Sequence, residues 1–215
     1  MKVVAFVPIK MNSERVPHKN ILPLGKHALS WYIFDALKGV QGIDKIYVYC
    51  SDETIKEYIP EGVEFLKRDP YLDGNIVKGF EIYERFIHDI DADVYVLSHA
   101  TSPFVKTETI QNALDHVLSG EKDSAFSAKR IQTFLWNTEG PMNYDPNDVP
   151  RTQDLAPVYA EVGAFYIFKK EIFTEHRRRV GFLPYVQELD DIEGVDIDEP
   201  DEFEFAKMIA SYKKI

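Results

Sequence analysis

The sequence predicts an α/β fold, a three-layer sandwich in which helices cover both faces of a mostly parallel sheet. First, short segments of β-branched and aromatic residues alternate with segments whose apolar residues recur at helical spacing, the pattern of βαβ units. Second, the first strand segment is continuously apolar, as expected of a strand buried on both faces. Third, 45% of the 215 residues are hydrophobic and 28% are charged, the composition of a globular domain.

The predicted elements follow in order from the N-terminus. The first strand stops at Pro8, and Ser51 or Asp52 can cap a short helix after the second strand. Thr107 is the expected N-cap of a later helix, and Pro200 suits the first turn of the last one, where its missing N–H is not needed. Strands are predicted at residues 3–7, 46–50, 63–66, 94–97 and 158–169, and the end of a strand at 194–198. Helices are predicted at residues 54–58, 76–90 and 108–118, and two further helices are predicted to begin near residues 29 and 200.

The pattern changes at residue 130. Residues 130–165 contain several prolines and asparagines and no helical periodicity. We therefore expect them to form an arm that is inserted into one core made of residues 1–129 and 166–215. No internal repeat or low-complexity tract suggests a further domain.

Charge and cysteine content exclude several classes of function. Lys and Arg number 25 against 36 Asp and Glu, a net charge of −11, which disfavours binding to nucleic acids and to anionic membranes. The chain has no run of about eighteen apolar residues that could span a membrane, and its first apolar stretch is too short for a signal peptide. Cys50 is the single cysteine, so no intrachain disulfide can form, and a reducing cytoplasm is the expected location.

A cationic loop follows the first strand. It carries Lys10, Arg15 and Lys19 against the single anion Glu14. In open α/β sheets, ligands bind beyond the carboxyl ends of the strands, where basic side chains and backbone N–H groups can hold phosphates. The loop lacks the glycines of a P-loop. It is therefore either a polyphosphate site or a solvated polar loop.

A pair of carboxylates stands near the other end of the chain. Asp196 and Asp198 point the same way if the backbone is extended, and two carboxylates together with substrate phosphates suit Mg²⁺. Alternatively, Asp198 caps the helix that begins near Pro200. Together, the loop and the pair match the needs of nucleotidyl transfer: the cations would hold a triphosphate and the carboxylates its metal.

Residues 7–21, VPIKMNSERVPHKNI, resemble the nucleotide-binding motif of the acylneuraminate cytidylyltransferases, the CMP-sialic acid synthetase-like family. The resemblance continues in order through nearly the whole chain. It includes Ser51-Asp52, Arg68, Thr101-Ser102-Pro103, Arg151-x-Gln153-Asp154, Gly163-Ala164-x-Tyr166 and Val195-Asp196-Ile197-Asp198-x-Pro200.

The resemblance implies a Rossmann-like sheet of the nucleotide-diphospho-sugar transferase type and a cytoplasmic homodimer that uses Mg. It also implies a reaction: the anomeric hydroxyl of an acidic 2-keto-3-deoxy sugar, an ulosonate, attacks the α-phosphorus of CTP and pyrophosphate leaves. By motif position, Asp196 and Asp198 would hold Mg and, with Lys19, act in catalysis. The residues that would bind the nucleotide are Lys10, Asn12, Ser13, Arg15, Lys19, Asn20 and Arg68.

On the acceptor side the resemblance implies Arg151 and Gln153, on an arm that also serves dimerisation. The chain departs from the family pattern where His99-Ala100 replaces Gln-Pro and where Glu161-Val162 precedes Gly163. His99 and Glu161 are therefore expected to contact the acceptor, with Glu161 as an anion that favours hydroxyl or amino donors. The neighbouring run Arg177–Arg179 is expected to be a solvated turn.

Two substitutions in the loop leave other functions open. Lys10 stands where the family usually has Arg, and Glu14 where it commonly has Lys. One alternative is a nucleotidyltransferase with a phosphate or phosphonate acceptor. The other is a nucleotide-binding homologue without catalysis.

Overall fold

Seven strands form the central sheet of the computed structural model, which describes all residues from Met1 to Ile215. The expected α/β sandwich is confirmed. The strands, in chain order, are β1 (Val3–Ile9), β2 (Pro23–Leu24), β3 (His27–Ala28), β4 (Lys45–Cys50), β5 (Glu64–Lys67), β6 (Val94–Ser98), β7 (Ser124–Ile131), β8 (Trp136–Asn137), β9 (Gly140–Pro141), β10 (Val158–Lys169) and β11 (Pro184–Glu188). The helices are α1 (Leu29–Gly39), α2 (Gly79–Asp89), α3 (Thr107–Leu118), α4 (Lys170–Thr174) and α5 (Pro200–Lys213).

The sheet has the strand order β11-β7-β10-β6-β1-β4-β5. All neighbouring pairs are parallel except those of β10, which runs antiparallel to β6 and β7. Phe6 in the middle of β1 lies opposite Tyr47 of β4 and Leu97 of β6. The carboxyl ends of the parallel strands therefore share one edge, and the loops that follow β1, β5 and β6 meet there.

Apolar side chains fill both faces of the sheet. One face packs against α1 and α3 through residues such as Ile33 and Leu114, and the other packs against α2 and α4 through residues such as Phe86 and Phe173. A smaller cluster joins α5 to the loop that precedes it, around Ile197. None of the helices is both long and apolar enough to cross a bilayer.

Three local predictions are wrong. Residues 194–198 join no sheet, because the N–H groups of Gly194 and Val195 donate back into the preceding turn and that of Ile197 donates to Thr101 in the loop after β6. Residues 76–78 precede α2, which begins at Gly79; the backbone N–H of Lys78 donates to the Glu81 carboxylate at 3.1 Å. Thr107 is not an N-cap, because its hydroxyl donates to the carbonyl of Ala36 on α1 at 2.8 Å.

The arm is the extension of two neighbouring strands of the sheet, β7 and β10. β7 and β10 pair up to Ile131 and Val158, and residues 132–157 between them carry the small β8–β9 hairpin. The expected boundary between residues 165 and 166 falls inside β10, which runs unbroken to Lys169. β7 and β11 were not predicted, because small and polar residues such as Ser124 and Ser127 obscure the strand pattern of β7.

Candidate active site

A cavity of about 430 Å³ opens at the carboxyl edge of the sheet. The loop after β1 forms one wall, and the segment from Arg68 to Tyr83 forms another. Asp198 and His99 complete it. The cavity therefore brings together eight residues that the sequence predicted for the site, namely Lys10, Asn12, Ser13, Arg15, Lys19, Arg68, His99 and Asp198.

A tight turn at Val16–Lys19 sets the course of the cationic loop. The N–H of Lys19 donates to the carbonyl of Val16 at 3.1 Å, and His18 has a left-handed backbone with φ 55°. Asn20 does not line the cavity; its side-chain amide donates to the backbone carbonyl of Lys10 at 2.9 Å. Asn20 thus ties the two ends of the loop together.

The cationic loop and the acidic segment meet at Asp198. The Asp198 carboxylate lies 3.0 Å from the Arg15 guanidinium and 3.2 Å from the Lys19 ammonium. Lys19 is buried, and its ammonium also donates to the carbonyl of Ile197. Arg15 pairs with Glu199 at 2.9 Å as well, and these two carboxylates raise the pKa of its guanidinium. The fold thus brings the cationic loop near the N-terminus into contact with the acidic segment near the C-terminus.

Asp198 does not cap the last helix. Glu199 is the N-cap residue of α5, in a capping box with Glu202. The carboxylate of Asp198 remains directed at the cations instead. The capping interpretation of Asp198 is therefore wrong.

Asp196 is the second carboxylate of the pair. Its Oδ1 is buried and has no hydrogen-bond partner. No third metal-ligating side chain joins Asp196 and Asp198 in a cluster. The backbone between them is held by the N–H of Ile197, which donates to the carbonyl of Thr101 at 2.9 Å. A buried carboxylate oxygen without a hydrogen-bond partner destabilises the folded state. A bound cation would satisfy this oxygen.

Glu193 anchors the acidic segment to α3. It is buried, and its carboxylate accepts hydrogen bonds from the backbone N–H of Lys106 at 3.0 Å and from the hydroxyl of Thr109 at 2.6 Å. Lys106 also pairs with Asp190, and this contact lowers the pKa of Asp190 to about 2. The segment that leads to Asp196 is therefore held against the start of α3.

Arg68 lies on the wall opposite the loop and is 3% exposed. Its guanidinium donates to Asp73, whose other oxygen accepts from Ser51. Lys10 reaches across the cavity to the side chain of Asn75 at 2.7 Å. The sequence did not identify Asp73 or Asn75, although a buried Arg after a strand requires an anionic partner nearby.

His99 follows β6 and is held in one tautomer. Its Nδ1 contacts the carbonyl of Gly163; a carbonyl only accepts, so Nδ1 carries the proton and Nε2 is the acceptor. Nε2 lies 3.4 Å from the hydroxyl of Tyr83. Burial is the main cause that lowers the pKa of His99, and Arg179 lowers it further. His99 therefore presents a neutral ring to the cavity.

The remaining predicted acceptor residues do not line the cavity. Arg151 forms a two-point ion pair with Asp154 on the exposed arm, at 2.7 and 3.0 Å, and Gln153 lies in the same turn. Glu161 is not a free anion as expected, because its Oε1 accepts hydrogen bonds from both Tyr166 and Arg179.

Arg179 is not part of a solvated turn. Its guanidinium lies 3.8 Å from the ring centroid of Tyr166, and its side chain is 28% exposed. The sequence offered no signal for this position, because Arg177 and Arg178 beside it have the same chemistry. Arg177 pairs with Glu84 at the surface, so the prediction of a solvated side chain is correct for Arg177 and wrong for Arg179.

A comparison with known families decides the assignment. The family model described as cytidylyltransferase matches residues 4–214. The chain belongs to the cytidylyltransferase family. The resemblance that the motifs indicated is thus confirmed.

Several cytidylyltransferases resemble the chain along most of its length. It is 26% identical over 214 residues to the N-acylneuraminate cytidylyltransferase of Streptococcus agalactiae, an alignment that covers 94% of this chain and 52% of that protein. It is 26% identical over 227 residues to a pseudaminic acid cytidylyltransferase of Campylobacter jejuni, an alignment that covers 97% of this chain and 96% of that protein. The chain spans about half the length of the N-acylneuraminate cytidylyltransferases that it matches.

Solved structures share the fold. A CMP:2-keto-3-deoxy-manno-octonic acid synthetase complexed with CTP superposes with a TM-score of 0.75 at 15% identity, covering 99% of this chain and 100% of that one. A 4-diphosphocytidyl-2C-methyl-D-erythritol synthase from Anaerococcus prevotii gives a TM-score of 0.67 at 10% identity, covering 98% and 96%. These similarities establish the architecture of this cytidylyltransferase.

Proposed function

We propose that this cytidylyltransferase transfers CMP from CTP to the anomeric hydroxyl of a 2-keto-3-deoxy acid sugar, a sialic-acid-like nonulosonate. One observation carries the proposal: Arg15 and Lys19 of the cationic loop both reach Asp198 of the acidic segment. Nucleotidyl transfer needs cations for a triphosphate and carboxylates for a metal at one place. The similarity to an N-acylneuraminate cytidylyltransferase and to a pseudaminic acid cytidylyltransferase supports the acceptor class.

The triphosphate would lie along the cationic loop. Lys19 and Arg15 would bind its phosphates through charge-assisted hydrogen bonds, and Lys10 would add a point charge. Arg68 would contact the nucleotide from the opposite wall, where Asp73 holds it. The neighbouring side chains of Asn12 and Ser13 would complete the nucleotide site, and Asn20 would hold the loop in shape.

Asp196 and Asp198 would hold the Mg ion. Asp196 fits this role because its buried Oδ1 lacks a partner, and Asp198 fits it because its carboxylate lies in the cavity. Mg²⁺ commonly takes one or two carboxylates together with substrate phosphates. When bound, it would supply positive charge against the negative charge that develops on the transferring phosphate.

The reaction is a displacement at the α-phosphorus of CTP. A new bond forms between this phosphorus and the anomeric oxygen of the acceptor, whose hydroxyl proton is lost. The bond between the α-phosphorus and the bridging oxygen to the β-phosphate breaks, and pyrophosphate leaves. Lys19 and Arg15 would hold the phosphates in line for this step and stabilise the departing charge.

The acceptor would bind at the end of the cavity where His99 lies. Its Nε2 can accept a hydrogen bond from an acceptor hydroxyl, whereas its one N–H is already used on the carbonyl of Gly163 and is not available to the acceptor. Gln153 and Arg151 on the arm, with Glu161 at the root of β10, would contribute to this site. In a cytoplasmic homodimer, the arm of each subunit would approach the acceptor end of the other.

Pyrophosphate release tests the proposal. The purified protein is incubated with CTP and Mg²⁺ and with sialic, legionaminic, pseudaminic and deoxy-nonulosonic acids in turn. We expect release with at least one acid and, at matched concentrations, much less with UTP in place of CTP. Mass spectrometry should detect the CMP-sugar.

Two outcomes would support other functions. Release with a phosphorylated or phosphonate acceptor, and with none of the acids, would favour the alternative acceptor class. CTP binding without pyrophosphate release from any acceptor would favour a non-catalytic nucleotide-binding protein.

A further inference from the structure

Arg179, Tyr166 and Glu161 form a cluster in which each side chain contacts the other two. The cluster lies outside the candidate nucleotide site. Arg179 lies over the ring of Tyr166 at 3.8 Å, and its guanidinium donates to Glu161 at 2.7 Å. The hydroxyl of Tyr166 donates to the same oxygen of Glu161 at 2.5 Å. The Tyr166 ring and the ion pair with Glu161 together fix the position of the Arg179 guanidinium before any ligand binds.

The cluster adjoins the His99 end of the cavity. The rings of Tyr166 and His99 pack edge to face, with centroids 6.2 Å apart. Tyr83, which lines the cavity with His99, lies beside Arg179: burial raises the pKa of its hydroxyl, and the guanidinium opposes this shift. The charge of Arg179 therefore acts at the wall where the acceptor would bind.

Arg179 has N–H donors that Glu161 does not occupy. A guanidinium carries five N–H donors; Arg179 directs one to Glu161 through its NH2 nitrogen, and the hydroxyl of Tyr83 is its second polar neighbour. The other cations at the cavity have partners on the nucleotide side: Lys19 and Arg15 pair with Asp198, Arg68 pairs with Asp73, and Lys10 donates to Asn75 at 2.7 Å. The free N–H groups of Arg179 are thus the ones available to an anion at the His99 end.

We propose that Arg179 binds the carboxylate of the acceptor sugar; this inference rests on the proposed function. A 2-keto-3-deoxy acid carries its carboxylate on the carbon that bears the attacking hydroxyl, so the site must supply a donor for an anion there. A guanidinium can bind a carboxylate through two parallel N–H···O bonds. Arg151, the cation that the motif suggested, is 72% exposed and already bound at two points by Asp154.

The chain supplies both a test and a matched control. Arg179→Met removes the charge, Arg179→Lys keeps a point charge, and Arg177→Met removes an exposed cation from the same turn. We expect Arg179→Met to raise the KM of the acceptor about ten- to a hundredfold, with the KM of CTP within twofold of wild type. Arg179→Lys should recover part of the loss. Arg177→Met should leave every constant unchanged, because exposed ion pairs contribute little.

Glu161→Gln separates carboxylate binding from a merely structural pair. If Arg179 binds the acceptor, removing the anion that competes for its guanidinium should lower the acceptor KM. If the ion pair only supports Tyr166, Glu161→Gln should raise the KM as Arg179→Met does, and that result would overturn the proposal. An acceptor KM that rises with Arg151→Met and not with Arg179→Met would also overturn it.

The carboxylate itself is tested with the methyl ester of an accepted acid. Wild type should use the ester poorly, and Arg179→Met should use acid and ester about equally. An equal loss on both substrates would contradict the proposal. Failure of the proposed function gives a different result: wild type would release no pyrophosphate with any acid, whatever residue 179 is.

Discussion

Lys19→Met addresses the contact that joins the two halves of the candidate site. Lys19 is 7% exposed, and its ammonium lies 3.2 Å from Oδ1 of Asp198 and against the carbonyl of Ile197. Methionine keeps the aliphatic stem and removes the charge. The substitution therefore tests a phosphate contact and a structural tie together, and the two effects have separate readouts.

The expected magnitudes follow from these contacts. Loss of a charge-assisted hydrogen bond of ~1.5–3 kcal/mol to the triphosphate should weaken CTP binding roughly ten- to a hundredfold. The carbonyl of Ile197 also loses its buried donor, which costs about 1–3 kcal/mol of folding stability. In a chain of this size, each kcal/mol lowers Tm by about 2–4 °C.

Calorimetry with CTP, steady-state turnover and thermal denaturation measure the three quantities. Lys26→Met is the matched control, because the Lys26 ammonium also donates to a backbone carbonyl, that of Lys214, at 3.0 Å and away from the cavity. It should leave CTP binding unchanged. A lower Tm for Lys19→Met with unchanged CTP affinity and turnover would refute the phosphate role and leave Lys19 as a structural tie.

The remaining predictions concern the acidic segment and His99. Asp196→Asn and Asp198→Asn should each reduce turnover by orders of magnitude, whereas the exposed Asp201→Asn should retain activity; near-normal turnover in both would exclude the metal role. His99→Gln should shift kcat/KM among nonulosonates more than the KM of CTP, and a change confined to CTP would place His99 on the nucleotide. Because burial lowers the pKa of His99 below 6.5, its contribution to stability is present above that pH and lost below it; Tm measured against pH should fall less steeply on the acid side in His99→Gln, and parallel curves would contradict this. Glu193→Gln should lower both Tm and turnover, since it weakens the anchor of the segment that carries Asp196; an unchanged Tm would mean that the anchor contributes no stability.

The residues of the cationic loop that line the cavity could be predicted because their signals are local. The loop after β1 is a contiguous group of cations, and its position beyond a buried strand follows from the sheet alone. Asp196 and Asp198 are recognisable from their spacing, even though the segment is not a strand as expected. Burial alternates along the segment, with Val195 and Ile197 buried and Asp196 and Asp198 half-buried, as the spacing of the two carboxylates predicts.

The acceptor side could not be predicted in the same way, because its contacts depend on how β10 pairs. The register of β10 against β7 shifts between Glu161 and Tyr166. That irregularity is not encoded by alternation of apolar residues, and it accompanies the contact of both side chains with Arg179. A run of arginines likewise gives no indication of which member turns inward. The long-range pair Glu161–Arg179 therefore emerges only from the assembled sheet.

The pairing of charges in the cavity bears on how a nucleotide would enter an acidic protein. The chain has a net charge of −11, yet Arg15, Lys19 and Arg68 face one cavity, each held by a carboxylate. These pairs keep the cations in place before a ligand arrives and limit the cost of burying Lys19. A triphosphate would compete with Asp198 for Arg15 and Lys19. As the phosphates bound these cations, the Asp198 carboxylate would be released two residues from Asp196, whose buried Oδ1 lacks a partner. Phosphate binding would therefore be coupled to the release of Asp198 through the same two ion pairs.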